Sequence, residues 1–284
     1  MGKVIQILGR TVKRSLNKKA LIYVIFILVS SLIIFYLNQS FPYDMNRTDL
    51  RVWEAVYAGD FLSLGILWIV GLPFLIYLSF LLSKSISDEI NSGTALLVLT
   101  RPVKRKEFVL SKFLGLVVFL NIINAIILFV FPALANFMGV PAIFLPTLFK
   151  TSLALLLYSL VLSLALAAIG IFLSANLRKS TISLSSLFIL IFVSFFFPLL
   201  SNLVTTLPKI PIVKPFYSVM GFFNIPLLPG SVSIVNVFTN SYYTTSKAII
   251  GNFSPLLVII LSCILVPIIL IWITRRLFSR QDIT

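Results

Sequence analysis

The sequence has no histidine, a single cysteine at Cys263, and only 8 acidic residues in 284. Without histidine it lacks the commonest metal ligand and proton shuttle. The H-E-x-x-H pattern of zinc metalloproteases is excluded with it. One cysteine makes no disulfide framework. There is no G-x-S-x-G nucleophile elbow. There is also no G-x-x-x-x-G-K-[ST] phosphate loop, because the only Gly-Lys pair is Gly2-Lys3. The chain is therefore not built to hydrolyse nucleotide or to run nucleophilic chemistry.

Charge of either sign is scarce, at 11% of residues, while 59% are hydrophobic and the mean hydropathy is +1.09. That composition belongs to a membrane protein. Six uncharged stretches are long enough to cross a bilayer, which takes about 20 apolar residues. They lie at 20–37, 61–82, 113–135, 151–174, 181–204 and 254–274. Backbone groups in lipid must be satisfied internally, so each is expected to be a helix. The expected fold class is an all-α membrane protein with six transmembrane helices, forming one domain over 1–284. No Asp, Glu, Lys or Arg falls inside these stretches. A carboxylate relay for a proton- or sodium-coupled carrier is thereby excluded.

The net charge of +15 records topology rather than an affinity for nucleic acid. Six basic residues precede the first stretch, six lie in the second loop, two in the fourth and three in the tail. These 17 of 23 fall on one side, which the positive-inside rule makes cytoplasmic. Both termini are then inside, in a multi-pass protein of the cell membrane. Asn38, Asn46 and Asn252 begin N-x-[ST] triplets on the outer side.

No small-residue cleavage site follows the first apolar run, so it is read as a retained span. Residues 2–19 read as an interfacial amphipathic helix. Val4, Ile5, Leu8, Val12 and Leu16 fall on one face, Lys3, Arg10, Lys13 and Arg14 on the other, and Ile7 breaks the pattern. The alternative is a plain basic flank without a fixed helix.

Between the second and third spans, the segment 84–112 is far longer than a turn requires. Ser85 to Asp88 fits a capping box. Asp88 and Glu89 favour the positive end of a helix dipole. Ile86, Ile90 and Leu97 share a helical face, and Pro102 ends the helix. Lys104, Arg105 and Lys106 then mark the water–lipid border. On its residues alone the segment is either a docking helix or a solvated hairpin that only sets topology.

The run Glu89-x-x-x-Gly93-Thr94, followed by Leu97, Pro102, Arg105, Phe108 and Lys112, resembles the signature of ABC type-2 transporter permeases. The tail from Arg275 to Ile283 resembles that family's usual ending, with Gln281 where an arginine is common. The resemblance implies a membrane subunit that pairs as a homodimer or heterodimer and binds separate ABC ATPase subunits. The chain itself would carry no cofactor, since ATP and magnesium belong to the partner. It implies a cytoplasmic coupling helix at about 86–100. The coupling residues would be Asp88, Glu89, Gly93, Thr94, Leu97, Pro102 and Arg105, with Arg178 and Lys179 as a smaller contact. It also places spans two and five beside the transport path, and members mostly export their cargo.

The fifth loop, 205–253, is broken by Pro208, Pro211, Pro215, Pro226 and Pro229 yet stays apolar. It reads as re-entrant structure over the path, or else as a compact lid. Phe188, Phe192, Phe195 and Phe196 share a broad face of span five. They would either line the path for an apolar or amphipathic cargo or face lipid. Asn121 and Asn124 are expected to bond a neighbouring helix. The competing functional reading is a stand-alone six-span channel or membrane scaffold without an ATPase.

Overall fold

A computed structural model describes residues 2–38, 50–93, 105–177, 179–203 and 264–280. Every element among them is helical and none is a strand. In chain order they are α1 (Gly2–Ser15), α2 (Lys18–Asn38), α3 (Leu50–Leu64) and α4 (Leu72–Ser83). There follow α5 (Ser87–Asn91), α6 (Arg105–Phe137), α7 (Leu145–Leu177), α8 (Ser180–Leu203) and α9 (Val266–Arg280). Four stretches among the described residues are long and apolar enough to cross a membrane: Lys18–Leu37, Val56–Asn91, Arg105–Phe137 and Ala142–Leu177. The expected fifth span is helical over Ser180–Leu203. Much of the expected sixth span, 254–263, lies outside the described residues.

α7 is the spine of the bundle. It packs against α3, α4, α5, α6, α8 and α9. Its stretch is 61% buried, against 28% for α2, which puts α2 at the rim. α6 and α7 are each 33 residues long, or about 50 Å at helical rise. That exceeds the roughly 30 Å hydrocarbon core, so the helices run well beyond the expected spans. The two are zipped together by polar side chains. Asn121 Nδ2 donates to Ser163 Oγ (2.8 Å) and Asn124 Nδ2 to Ser159 Oγ (2.6 Å). Ser152 Oγ donates to the Leu128 carbonyl oxygen at 2.7 Å. The asparagine bonds expected from the sequence are thus in place.

The second span differs from expectation. Its helix begins at Leu50 rather than near Phe61, so Glu54 and Asp60 ride on it. It is also interrupted. A π-helical stretch, Gly65–Ile69, precedes Gly71, and α4 starts afresh at Leu72. A Cβ on Gly71 would stand 2.1 Å from the Leu67 carbonyl oxygen, so only glycine fits. Pro73 sits in the first turn of α4, where a missing N–H costs nothing. The interruption comes from this Gly-Leu-Pro run. Pro132, by contrast, sits inside an unbroken α6.

α1 also departs from its expected orientation. It packs on α6 rather than presenting its full apolar face outward. Thr11 and Ser15 are buried, and Ile7, Leu8 and Val12 are partly buried, while Ile5 and Leu16 are exposed. The contact is close because α6 has a glycine there. A Cβ on Gly115 would lie 2.9 Å from Thr11 Cβ and 3.3 Å from the Leu8 carbonyl oxygen. Polar Thr11 and Ser15 satisfy this contact, which a reading by hydrophobicity alone assigns to the wrong side.

Candidate functional site

The site lies where α4, α5, the start of α6 and the end of α7 meet. α4 ends at Ser83, and Ser85 turns its hydroxyl back to the Leu82 carbonyl oxygen at 2.8 Å. Ser85 is therefore not the N-cap that the spacing to Asp88 predicts. The N-cap residue of α5 is Ile86, which makes no side-chain cap bond. The cap is supplied from α7 instead. Ser174 Oγ accepts the backbone N–H of Ile86 (3.1 Å) and of Ser87 (3.0 Å). It donates in turn to the Ser83 carbonyl oxygen at 3.1 Å. One buried hydroxyl thus serves two of the N–H groups that a helix start leaves without partners. Gly170, one turn earlier on α7, lets Leu82 approach so closely that an added Cβ would meet its Cβ at 2.6 Å.

α5 is only five residues long and carries Asp88 and Glu89 in its first turn. It closes on Gly93, whose φ of +69° is left-handed. The Gly93 N–H donates to the Ile90 carbonyl oxygen at 3.1 Å. Glycine adopts that conformation without strain and commonly ends helices. The expected continuous helix over 86–100 is thereby corrected: it stops before Gly93. The reason is the glycine of the Gly-Thr pair itself.

Glu89 is buried and points into the bundle. Its Oε1 accepts Lys112 Nζ at 2.6 Å and Arg14 Nη1 at 2.9 Å. Lys112 is buried too, with Nζ 5.8 Å from the Phe108 ring centroid. The Arg14 side chain is 71% exposed. One carboxylate therefore ties α1, α5 and α6 together. Asp88 is half-buried, while Asn91 and Ser92 are exposed. Arg105 is partly buried at the first position of α6. Thr94, Leu97, Pro102 and Arg178 lie outside the described residues, and Lys179 is exposed ahead of α8. Sequence reasoning missed Arg14, Ser174, Gly115 and Gly170. Small residues at helix contacts were the signal that could have found the two glycines.

Of the four span-five phenylalanines, Phe188 is partly buried and stands edge-on to Phe80 of α4, ring centroids 5.8 Å apart. That contact sets spans two and five side by side. The side chains of Phe192, Phe195 and Phe196 lie outside the described residues.

Long apolar helices, joined at one end by a short capped helix, define a multi-pass membrane protein. A family model described as "ABC-2 family transporter protein" matches residues 7–283. The chain belongs to that family: it is a permease, the membrane component of an ABC transporter and not its ATPase. Membership implies association with an ABC ATPase. A search of the curated proteins found no match.

Proposed function

We propose that the chain is the permease of an ABC exporter whose ATPase is a separate subunit docking at α5 and the segment that follows it. The observation that carries this is how α5 is held. The residue matching the family's signature acid lies in a short helix, closed by the signature glycine, that is bonded to three others: to α7 through Ser174, and to α1 and α6 through Glu89. A solvated hairpin that only set topology would need no such anchoring. Asp88, Asn91 and Ser92 offer outer contacts, and Gly93, Thr94, Leu97, Pro102 and Arg105 are the further coupling residues of the segment. Lys179, with Arg178 beside it, is the smaller second contact. Glu89, buried as it is, positions the segment rather than forming the outer contact surface.

The bias of 17 basic residues to one side supports six spans with both termini cytoplasmic, in the cell membrane. ATP and magnesium are bound by the partner, and a second permease, identical or not, completes the path. The apolar residues of spans two and five, Phe80 and Phe188 among them, suit an apolar or amphipathic cargo. Such surroundings cannot replace the water of a bare ion.

The experiment is charge reversal at Glu89. Glu89→Arg places a cation against Lys112 and Arg14. The expected result is normal membrane insertion with loss of the ATPase subunit, or hydrolysis without transport. A variant that transports normally with its ATPase bound refutes the reading. Retained function without any co-purifying nucleotide-binding protein would instead favour a stand-alone channel.

A further inference from the structure

α9 has two faces of opposite character. Ile271, Thr274 and Phe278 are buried against the bundle, and the Phe278 ring stacks on Phe108 at 6.0 Å. Outward, at three- and four-residue spacing, stand Leu265, Ile268, Ile269 and Trp272, each at least 41% exposed. This apolar row ends on Arg276, which is exposed and whose guanidinium carbon is 3.9 Å from the Trp272 ring centroid. Next to it, Arg275 Nε is buried with no hydrogen-bond partner. The rest of the Arg275 side chain is partly exposed beside Arg276. The Phe108 contact puts this cluster at the same end of the bundle as α5 and Lys112.

Read along the helix, the order is aliphatic, then indole, then guanidinium. A phospholipid has the complementary order of acyl chain, glycerol region and phosphate. Indole rings favour the level of the headgroups. A guanidinium seated over the indole can still offer N–H groups for a bidentate bond to a phosphate. We propose that Trp272, Arg275 and Arg276 form a binding site for the headgroup of an anionic phospholipid in the leaflet at the α5 end. The site is independent of the transport reading, since lipid occupancy needs no ATPase and no cargo.

The test uses the full chain in phosphatidylcholine vesicles. Trp53→Phe and Trp68→Phe leave Trp272 as the only tryptophan. A fixed small fraction of brominated lipid is added, either phosphatidylcholine or phosphatidylglycerol, and quenching of Trp272 is read. Brominated phosphatidylglycerol is expected to be enriched about fivefold for each arginine engaged, and less at high salt. The double variant Arg275→Gln/Arg276→Gln should lose that preference. Its quenching by brominated phosphatidylcholine should persist, which reports that α9 is still in place. Arg276→Lys, which keeps the charge, should retain part of the preference. Equal quenching by the two lipids overturns the proposal, as does a preference that survives the double variant. Protection of Trp272 from both lipids also overturns it, because a protein then covers this face.

Discussion

Neutralising Glu89 tests the three-way ion pair most sharply, because its two partners sit in such different places. The Lys112 side chain is 10% exposed and that of Glu89 9%, while that of Arg14 is 71% exposed. Removing one member of a buried pair costs about 3–5 kcal/mol, because the other charge is left without compensation. An exposed pair contributes only about 0.2–1 kcal/mol. Glu89→Gln keeps the shape but leaves the Lys112 ammonium facing a neutral amide, so it should fall in the first range. Arg14→Gln should fall in the second. Lys112→Met removes the stranded charge at similar volume. The double variant Glu89→Gln/Lys112→Met is therefore expected to be more stable than Glu89→Gln alone. The assay is unfolding of the full chain in micelles titrated with a denaturing detergent, followed by circular dichroism. If the two substitutions simply add, or Arg14→Gln costs as much as Glu89→Gln, the pairing argument fails.

Ser174→Ala removes the cap shared by Ile86 and Ser87, at about 0.5–2 kcal/mol by analogy with other cap losses. Hydrogen exchange should quicken at those two amides, and unchanged exchange there would count against the cap. Gly115→Leu pushes α1 off α6, and overpacking of this kind costs about 1–3 kcal/mol. Trypsin should then cut faster at Lys13 and Arg14, whereas parental digestion rates would mean the contact is not held by Gly115. Cysteines placed by Ser92→Cys and Ser231→Cys, each in a Cys263→Ser background, should label from opposite sides of the membrane. Labelling from the same side defeats the proposed topology.

Much of the fold was legible because lipid imposes a simple rule: long uncharged runs become helices. The four described spans, and the asparagine bonds between α6 and α7, follow from that rule and from the cost of bare polar groups in hydrocarbon. The end of α5 was written in Gly93, though Pro102 drew attention first. The anchoring of the site was not legible. Ser174 lies 87 residues from Ser87, and Arg14 lies 75 from Glu89, so no local pattern links them. α1 misled for another reason. Its periodicity says that it has a greasy side but not whether lipid or α6 meets it. Thr11 and Ser15 look like polar-face residues until Gly115 brings α6 within contact.

The gap in span two gives the bundle a joint across its width. An unbroken helix carries twist from end to end, because every turn is bonded to the next. At Gly71 that chain of bonds is cut, and the glycine cannot be exchanged for a residue that would restore it. Each piece is moored separately to the same mast. α4 is seated on α7 at Gly170, where Leu82 nests. The π-helical turn rests against Leu155 at Gly65, and the Thr147 hydroxyl donates to the Glu54 carboxylate on α3. If the ATPase docks at α5 as proposed, a pull there would reach α4 first, and α3 would be held by its own contacts to α7. In the proposed exporter such a break would let the two ends of the path be set one at a time, which a stiff rod through both would forbid.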